Sequence, residues 1–311
     1  MNCLHCNKKL LENEIDWHKK CIKKFFSTTK IPSISLNDEE LNKYIINNIN
    51  NYITVPGVQK KMSLTLNVES NKLTLVNFPT RYILKPQTEE FEYLPEAEHL
   101  VMSLANISNL ITVDHALIRI GNEYAYITKR IDRDFKGNKL VKLAMEDFCQ
   151  LDLRLTEDKY LGSYERCIKI IEKYSSQSKL DIVELFMRII FSFIVGNSDM
   201  HLKNFSIIED YETKGYYLCP SYDILPVNII LKSDLEQTAL TLNGIKKNIT
   251  KKDLVVFGRK CELTDNTINK IFKKFIGLET EYINLINESY ISDLMKIKLI
   301  NLINERIKII S

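Results

Sequence analysis

Side chains able to transfer a proton or bind a metal ion are concentrated directly after one apolar run. The apolar run covers residues 185–195, and Asp199, His201, Lys203 and Asn204 follow it before the chain turns apolar again. Buried structure does not carry so many polar groups without a use for them, because each unpaired group costs free energy. The Asp199 carboxylate can accept a hydroxyl proton, and the Asn204 amide oxygen is a hard ligand that suits Mg²⁺.

The spacing of these residues favours phosphoryl transfer. Asp199 and Asn204 are five residues apart, the separation of the base and the metal-binding asparagine in the catalytic loop of protein kinases. Asp223 follows a later apolar segment, 24 residues after Asp199, where kinases place a second Mg²⁺ ligand. His201 and Lys203 flank the proposed base and could contact phosphate.

A second group of candidates lies upstream. Lys85 closes the apolar run Tyr82-Ile83-Leu84 and precedes Pro86, as does the strand lysine that holds nucleotide phosphates in kinases. Glu96 and Glu98 open the next helical pattern, and either could pair with this lysine. The loop that contains Gly57 could present backbone N–H groups to phosphate.

Each candidate also has a purely structural interpretation. Asp199 could cap a helix, Glu96 and Glu98 could favour a helix N-terminus, Lys85 could lie on the surface and Gly57 could serve a β-turn. A transition-metal site at Asp199 and His201 lacks a second nearby histidine, and a hydrolase triad lacks a Gly-x-Ser-x-Gly elbow. The ordered set Lys85, Asp199, Asn204 and Asp223 favours the kinase interpretation over these coincidences.

Hydrophobic periodicity indicates which elements position these residues. Apolar alternation predicts strands at residues 62–66, 73–78 and 82–85 and a hairpin over 117–128, with a glycine turn. Helical patterns are expected at residues 39–49, 94–104, 164–174, 182–195, 264–276 and 292–310, and two short strands at 205–208 and 216–218. The prediction is an α+β protein with a β-rich first part and a helical second part.

Composition narrows the class of protein. The 311 residues carry a net charge of +3, with 45% apolar and 27% charged residues, which is ordinary for a globular protein. The charge does not favour direct nucleic-acid binding, which depends on concentrated basic residues. Neither a membrane span nor the apolar core of a signal peptide is evident. The odd number of cysteines, seven, predicts a reducing, cytoplasmic environment without a disulfide framework.

The N-terminal segment has metal-ligand spacing of its own. Cys3 and Cys6 are followed after eleven residues by His18 and Cys21, a Cys₃His set that tetrahedral Zn²⁺ accepts. The alternative is that these cysteines are small apolar side chains that pack a short N-terminal cap.

Taken together, the motifs resemble those of the HipA family of toxin serine/threonine kinases. The residues that carry the resemblance, in family order, are Gly57-Val58-Gln59-x-Lys61, Tyr82-Ile83-Leu84-Lys85-Pro86, Glu98 before Met102-Ser103-Leu104-Ala105, Glu146-Asp147-Phe148-Cys149-Gln150, Gly196-Asn197-x-Asp199-x-His201-x-Lys203-Asn204 and Tyr222-Asp223.

The resemblance implies a bilobal kinase-like fold and transfer of the ATP γ-phosphate, with Mg²⁺, to a serine of a protein such as an aminoacyl-tRNA synthetase. Asp199 would be the base, and Asn204 and Asp223 the Mg²⁺ ligands. The nucleotide-binding residues that it implies are Val55, Pro56, Gly57, Val58, Gln59 and Lys61 of the phosphate loop, Lys85, Glu146 and Phe148 at the adenine, and His201, Lys203 and Tyr222. The expected domains are a Cys/His segment (1–30), an N-lobe (31–148) and a helical C-lobe (149–311).

Two features set expectations for regulation. The chain has no room for the additional N-terminal subdomain of full-length HipA proteins, so it resembles the short form, HipT, with HipS-like and HipB-like antitoxin partners. The family places an inhibitory autophosphorylated serine three residues before the loop glycine, and Thr54 stands there, with Pro56 before Gly57. The alternatives are a catalytically silent co-repressor component and a kinase of a lipid or small molecule.

Overall fold

The computed structural model of the chain describes residues 1–34, 61–75, 80–136, 139–231 and 233–311. The fold divides into two compact units. Unit 1 comprises Met1–His99 and Asp114–Leu140, and unit 2 comprises Leu100–Val113 and Val141–Ser311. The domain limits expected after residues 30 and 148 stay predictions.

Eleven strands occur among the described residues. They are β1 (Ser33–Ile34), β2 (Met62–Asn67), β3 (Lys72–Leu75), β4 (Tyr82–Lys85), β5 (His115–Ile120), β6 (Glu123–Lys129), β7 (Arg133–Lys136), β8 (Lys139–Lys142), β9 (Met145–Asp147), β10 (Ser206–Glu209) and β11 (Tyr216–Leu218).

Ten α-helices are described, together with two 3₁₀ turns at Thr156–Tyr160 and Leu202–Asn204. The helices are α1 (Lys19–Phe26), α2 (Leu94–Ile107), α3 (Phe148–Leu151), α4 (Tyr164–Tyr174), α5 (Ser178–Val195), α6 (Val227–Ile230), α7 (Lys251–Lys260), α8 (Asp265–Gly277), α9 (Glu279–Asn287) and α10 (Asp293–Ile310).

Unit 1 is built on a six-stranded sheet with the order β1-β3-β2-β4-β6-β5. Its pairs are antiparallel except for β1 with β3. Strand β4 is central and buries Tyr82, Leu84 and Lys85, while Ile83 is half-buried. Successive side chains of a strand point to opposite faces, so Lys85 shares the face of Ile83, opposite Tyr82 and Leu84, and its 4% exposure shows that this face is also covered at the end of the strand.

Unit 2 is mainly helical, and helix α5 runs through its core. All residues of α5 from Arg188 to Val195 are buried, and burying each large apolar side chain contributes about 1.5–3 kcal/mol. A small antiparallel sheet, β11-β10-β9, lies in the same unit. The predicted α+β class, with a sheet-rich first part and a helical second part, is confirmed, and unit 2 carries three short strands among its described residues.

No helix in the described part of the chain is both long enough and apolar enough to span a bilayer. All seven cysteines lie in described segments and are free thiols.

Candidate active site

Lys85 and Glu98 form a buried ion pair in unit 1. The Lys85 Nζ lies 2.6 Å from the Glu98 Oε1, and their exposed fractions are 4% and 0%. The Lys85 ammonium also lies 5.3 Å from the centre of the Tyr126 ring. Two charges are stable at such depth only when they compensate each other. Of the two glutamates that the sequence left open, the structure selects Glu98 as the partner.

Glu96 has a different environment, two residues earlier on helix α2. It is 8% exposed, and burial raises the pKa of its carboxyl to about 7. Glu96 lies in the first turn of α2, where the partial positive charge of a helix N-terminus favours an acidic side chain. The structural interpretation proposed for both glutamates therefore fits only Glu96.

Helix α5 leads directly into the polar loop of unit 2, which comprises residues 196–204. It ends at Gly196, which has φ of 71° and ψ of 36°, the left-handed conformation that glycine adopts most easily. The N–H of Asn197 then donates to the Ser192 carbonyl at 2.8 Å. The Asn197 side chain is buried, and its Oδ1 accepts from the N–H of Asp199 at 3.2 Å. The buried end of the helix thus fixes the backbone at Asp199.

The Asp199 carboxylate is held by a tyrosine from the preceding 3₁₀ turn. The Tyr160 hydroxyl donates to Asp199 Oδ1 at 2.5 Å. Burial raises the pKa of the Asp199 carboxyl above its ordinary value, and the hydrogen bond from Tyr160 opposes that rise. A carboxylate with a raised pKa is a better proton acceptor than an exposed one while it remains ionised.

His201 is neutral and has a buried nitrogen without a partner. It is 6% exposed, and burial lowers its pKa to about 4. Its ring meets the Tyr160 ring edge-on at 5.0 Å between centres. Its Nδ1 makes no hydrogen bond to any described residue. Such an orphaned group points to a ligand, because burying a polar atom without a partner is costly.

Asn204 lies next to the backbone of Asp223, and the role of both residues as Mg²⁺ ligands stays a prediction. Asn204 is 3% exposed, and its Nδ2 lies 3.5 Å from the backbone carbonyl of Asp223. Its Oδ1 is buried and has no hydrogen-bond partner among the residues that the structure describes. Asp223 has φ of 61°, an unusual backbone conformation for aspartate. An orphaned amide oxygen beside a carboxylate-bearing residue fits a hard cation such as Mg²⁺.

Two predicted nucleotide contacts have structural partners within unit 2. Lys203 Nζ donates to Asp147 Oδ2 at 2.8 Å. The Tyr222 hydroxyl lies 2.6 Å from Ser206 Oγ and donates to the Lys203 carbonyl at 3.0 Å. Both side chains therefore brace the polar loop, and their contacts with a nucleotide stay predictions.

The residues expected at the adenine differ in exposure. Glu146 lies exposed on strand β9, where it pairs with Ile207. Phe148 is fully buried and stacks on Phe205 at 5.5 Å, and its N–H donates to the Phe205 carbonyl at 2.9 Å. Phe148 thus packs against Phe205, the residue that follows Asn204. Adenine binding at Glu146 or Phe148 stays a prediction.

With this geometry established, comparison with known proteins identifies the family. The family model described as "HipA-like C-terminal domain" matches residues 53–280. The chain belongs to this family. The match includes Lys85, Asp199, Asn204 and Asp223, so the residues singled out by spacing all lie within the HipA-like domain.

Two relatives of the HipA-like chain are named as kinases. A protein of Haemophilus influenzae named "Putative kinase" is 27% identical over 187 residues, which are 57% of this chain and 53% of the relative. A protein of Sinorhizobium fredii named "Putative kinase Y4mE" is 30% identical over 178 residues, 56% of this chain and 42% of the relative. The matches thus span about half the length of these relatives.

Two solved structures share the HipA-like fold. The chain is similar to a structure titled as the toxin–antitoxin complex of HipA, HipB and operator DNA from Shewanella oneidensis. The TM-score is 0.70 and the identity 18%, over 86% of this chain and 70% of the other. It is also similar to the proinflammatory kinase CtkA of Helicobacter pylori, with TM-score 0.54 and 16% identity, over 79% and 92%. The predicted kinase-like fold is confirmed.

The predicted phosphate loop falls mostly outside the described residues. Thr54, Val55, Pro56, Gly57, Val58 and Gln59 lie there, as does the helix expected at residues 39–49. Lys61 is described and is exposed directly before strand β2. The roles of this segment stay predictions.

Sequence reasoning missed the residues that hold the loop in place. Tyr160 lies 39 positions before Asp199, and Asp147 lies 56 positions before Lys203. Neither has a local motif that links it to its partner. The one usable signal was for Asp147, which stands next to Glu146 and Phe148 in a segment already singled out.

Proposed function

We propose that this chain is an ATP-dependent protein serine/threonine kinase of HipA type. The observation that carries the proposal is the buried Asn204 side chain, whose Oδ1 has no hydrogen-bond partner among the described residues and whose Nδ2 lies 3.5 Å from the Asp223 backbone carbonyl. This arrangement stands five residues after a carboxylate with a raised pKa, Asp199. Family membership and the names of the two relatives support the same activity.

In the proposed transfer reaction, different residues act on the substrate hydroxyl, the metal ion and the nucleotide phosphates. Asp199 accepts the proton of the substrate hydroxyl, and Tyr160 orients its carboxylate. Asn204 and Asp223 would hold Mg²⁺, which neutralises phosphate charge when it is bound. Lys85 would bind nucleotide phosphate as a point charge, kept in position by Glu98.

Phosphate transfer from γ-labelled ATP tests the proposal. The purified chain with Mg²⁺ should label itself or a protein substrate. Asp199→Asn should lower the rate by about 10²–10⁴-fold, the usual contribution of a general base. Asp223→Asn and Asn204→Ala, which remove the proposed Mg²⁺ ligands, should also lower the rate of transfer. Lys173→Ala, a change on helix α4, serves as the control. Unchanged labelling in both Asp199→Asn and Asp223→Asn would contradict the proposal.

For the substrate we propose a serine of an aminoacyl-tRNA synthetase, as the family resemblance implies. Phosphoproteomics after expression in a sensitive host should find one synthetase serine that is phosphorylated by the native chain and not by Asp199→Asn. Phosphorylation only of lipids or small alcohols would contradict this assignment and would leave the transfer chemistry intact.

For regulation we propose that Thr54 accepts a phosphate from the chain itself. A threonine hydroxyl can accept a phosphate, but it is β-branched and stands two residues before the stiff Pro56-Gly57 pair, so its phosphorylation should be slow. Mass spectrometry of protein incubated with ATP should find phosphothreonine at this position. Thr54→Ala should prolong activity, whereas unchanged activity and an unmodified threonine would contradict the proposal.

For the biological context we propose a toxin of the HipT type that is neutralised by HipS-like and HipB-like proteins. The Shewanella neighbour was solved with HipB and operator DNA, which supports a partner of that kind. Co-purification with products of adjacent genes tests this. The Asp199→Asn variant should still bind them, because binding does not need the base.

A further inference from the structure

The N-terminal segment brings four metal-ligating side chains into one cluster. The ligand atoms of Cys3, Cys6, His18 and Cys21 all lie within 4.8 Å of one another. Cys6 Sγ is 3.3 Å and Cys21 Sγ is 3.8 Å from His18 Nδ1. Ligand atoms at tetrahedral positions around Zn²⁺ lie roughly 3.5–3.8 Å apart, given bond lengths of about 2.3 Å to sulfur and 2.0 Å to nitrogen. We propose that these four residues bind a structural zinc ion.

The surroundings of His18 prepare it for this role. Its Nε2 lies 3.0 Å from the Lys9 carbonyl. A carbonyl can only accept a hydrogen bond, so Nε2 carries the proton and Nδ1 presents its lone pair to the thiols. This is the arrangement that orients metal-bound histidines in proteins. His18 is also the N-cap residue of helix α1, yet its side chain caps no N–H of the helix.

The sulfur of Cys3 is prepared in a similar way. The backbone N–H of His18 donates to Cys3 Sγ at 3.3 Å. A backbone donor of this kind orients a cysteine sulfur within a metal site. A merely apolar cysteine cluster needs neither this donor nor a histidine.

A metal also explains how so short a segment holds its shape. Residues 1–26 contain one helix of eight residues, and the turns before it place Asn7 and Asp16 at positive φ. The segment buries Trp17, Phe25 and Phe26 within unit 1, but its first eighteen residues contain no helix or strand whose hydrogen bonds would fix their backbone. A zinc ion would tie the Cys3–Cys6 turn to the start of helix α1.

The zinc-bound segment would act as a support for the sheet of unit 1. Trp17 Nε1 donates to the Leu117 carbonyl on β5 at 3.2 Å, and the Tyr82 hydroxyl on β4 donates to the Phe25 carbonyl at 3.3 Å. Asn7 Oδ1 lies 3.1 Å from His99 Nε2, next in sequence to Glu98. The segment therefore contacts the strand that ends in Lys85 and the helix that carries its ion-pair partner.

Metal analysis of the full-length chain tests the site directly. Protein from zinc-replete medium should contain about one zinc per chain. Cys21→Ser and His18→Ala should reduce this below about 0.1 per chain and lower the unfolding temperature. Cys149→Ser and Cys261→Ser, changes of buried cysteines in unit 2, should keep the zinc. Zinc-free native protein whose unfolding temperature does not respond to added zinc would overturn the proposal.

A rescue variant separates ligation from packing. His18→Cys converts the set to Cys₄, which zinc also accepts, so it should bind the metal that His18→Ala loses. With Co²⁺ in place of zinc, the native chain should show thiolate-to-cobalt absorption for three sulfurs, and His18→Cys should show a stronger band. Equal loss of metal in His18→Cys and His18→Ala, or a cobalt spectrum without thiolate bands, would contradict the assignment.

Hydrogen exchange tests the supporting role without reference to phosphate transfer. Chelation of the zinc should speed exchange at the amides of β4 (Tyr82–Lys85), and should leave α5 (Ser178–Val195) in unit 2 unchanged. Unchanged exchange at β4 after the metal is removed would show that the segment does not support the sheet.

Discussion

At the scale of single residues, the hydrogen bond from Tyr160 to Asp199 is a feature of the site that the spacing of Asp199 and Asn204 in the sequence does not reveal. The Tyr160 hydroxyl donates to Asp199 Oδ1, and this bond lowers the pKa of a carboxyl that burial raises. Tyr160→Phe removes the donor and keeps the ring against His201. The acid limb of the pH–rate profile should therefore move to higher pH, while the rate at alkaline pH stays close to native.

The profile for Tyr160→Phe should be measured at saturating ATP and compared with Tyr174→Phe, which alters a tyrosine at the end of helix α4. A uniform loss of rate at every pH, with no shift of the acid limb, would mean that Tyr160 has a purely structural role.

The ionised Asp199 carboxylate should lower the free energy of unfolding at neutral pH, because burial raises its pKa. Its folded-state pKa is raised above the ordinary value of 3.8, so ionisation near pH 7 is less favourable in the folded chain than in the unfolded chain. Asp199→Asn removes that ionisation and should raise the unfolding temperature at pH 7. The difference should shrink as the pH falls towards the pKa of the unfolded aspartate. Thermal unfolding from pH 7 downward checks this, and a variant less stable than native at pH 7 would contradict it.

Variants of the buried Lys85–Glu98 pair can distinguish its contribution to the free energy of unfolding from its contribution to phosphate transfer. Lys85→Met leaves a buried carboxylate uncompensated and should cost about 3–5 kcal/mol. Lys85→Met combined with Glu98→Leu removes both charges and should recover most of that loss, since an apolar pair can replace a buried ion pair. Phosphate transfer should be absent from both variants. Denaturant unfolding measures the first effect, and transfer activity in the double variant would exclude a role for Lys85 with phosphate.

At the scale of elements, the end of helix α5 controls where Asp199 lies. An added Cβ at Gly196 would clash with the Leu302 side chain and lie 3.2 Å from Asn228 Cβ. Left-handed backbone alone costs a residue with a side chain about 1–2 kcal/mol. Gly196→Ala should therefore destabilise by about 2–4 kcal/mol, from strain and displaced packing together, and should reduce transfer.

Gly244→Ala is the matched control, because Gly244 also has positive φ, in the same unit, with no atom within 4 Å of an added Cβ. It should show only the backbone cost and keep activity. Equal effects of both variants in denaturant unfolding would mean that contact with Leu302 and Asn228 does not matter.

The elements predictable from sequence were those with strong periodicity and a clear end. The helix at Tyr164–Tyr174 was predicted with its observed limits, and the helix before Gly196 was predicted to end at Val195, as observed. Helix α7 was missed because its apolar positions are sparse, although Thr250 and Asp253 form a capping box at its start. Strand β9 was missed because three residues are too short to show an alternation.

The candidate site was predictable only where function imposes a local spacing. Asp199 and Asn204 belong to one loop, so their separation could be recognised. The choice of Glu98 over Glu96 as the partner of Lys85 could not be predicted from the helical pattern, because it depends on which face of helix α2 turns towards β4. The partners Tyr160 and Asp234 come from distant segments, and Asp234 reaches the loop through a hydrogen bond from the Ser198 hydroxyl at 2.6 Å. Such contacts are set by tertiary packing, which leaves no short motif.

At the scale of the whole molecule, ligand binding should appear as stability, because anything that binds only the folded chain shifts its unfolding equilibrium. ATP with Mg²⁺ at 100 times its dissociation constant should stabilise the fold by about 2.7 kcal/mol. Asn204→Ala and Asp223→Asn should lose most of this gain if they hold the metal. Asp199→Asn should keep it, because the base is needed for transfer and not for binding.

Thermal unfolding with ATP alone, Mg²⁺ alone and both together measures these effects independently of any substrate. A gain that does not depend on Mg²⁺, or one that survives in Asp223→Asn and Asn204→Ala alike, would place the metal elsewhere. Loss of the gain in Asp199→Asn alone would reverse the assigned roles, since Asp199 would then be a ligand. The buried Asn204 Oδ1 has no hydrogen-bond partner among the described residues, so Asn204→Ala should cost little stability in the absence of nucleotide. A small cost without nucleotide, together with loss of the gain from ATP and Mg²⁺, would indicate a lost ligand and not a lost structural contact.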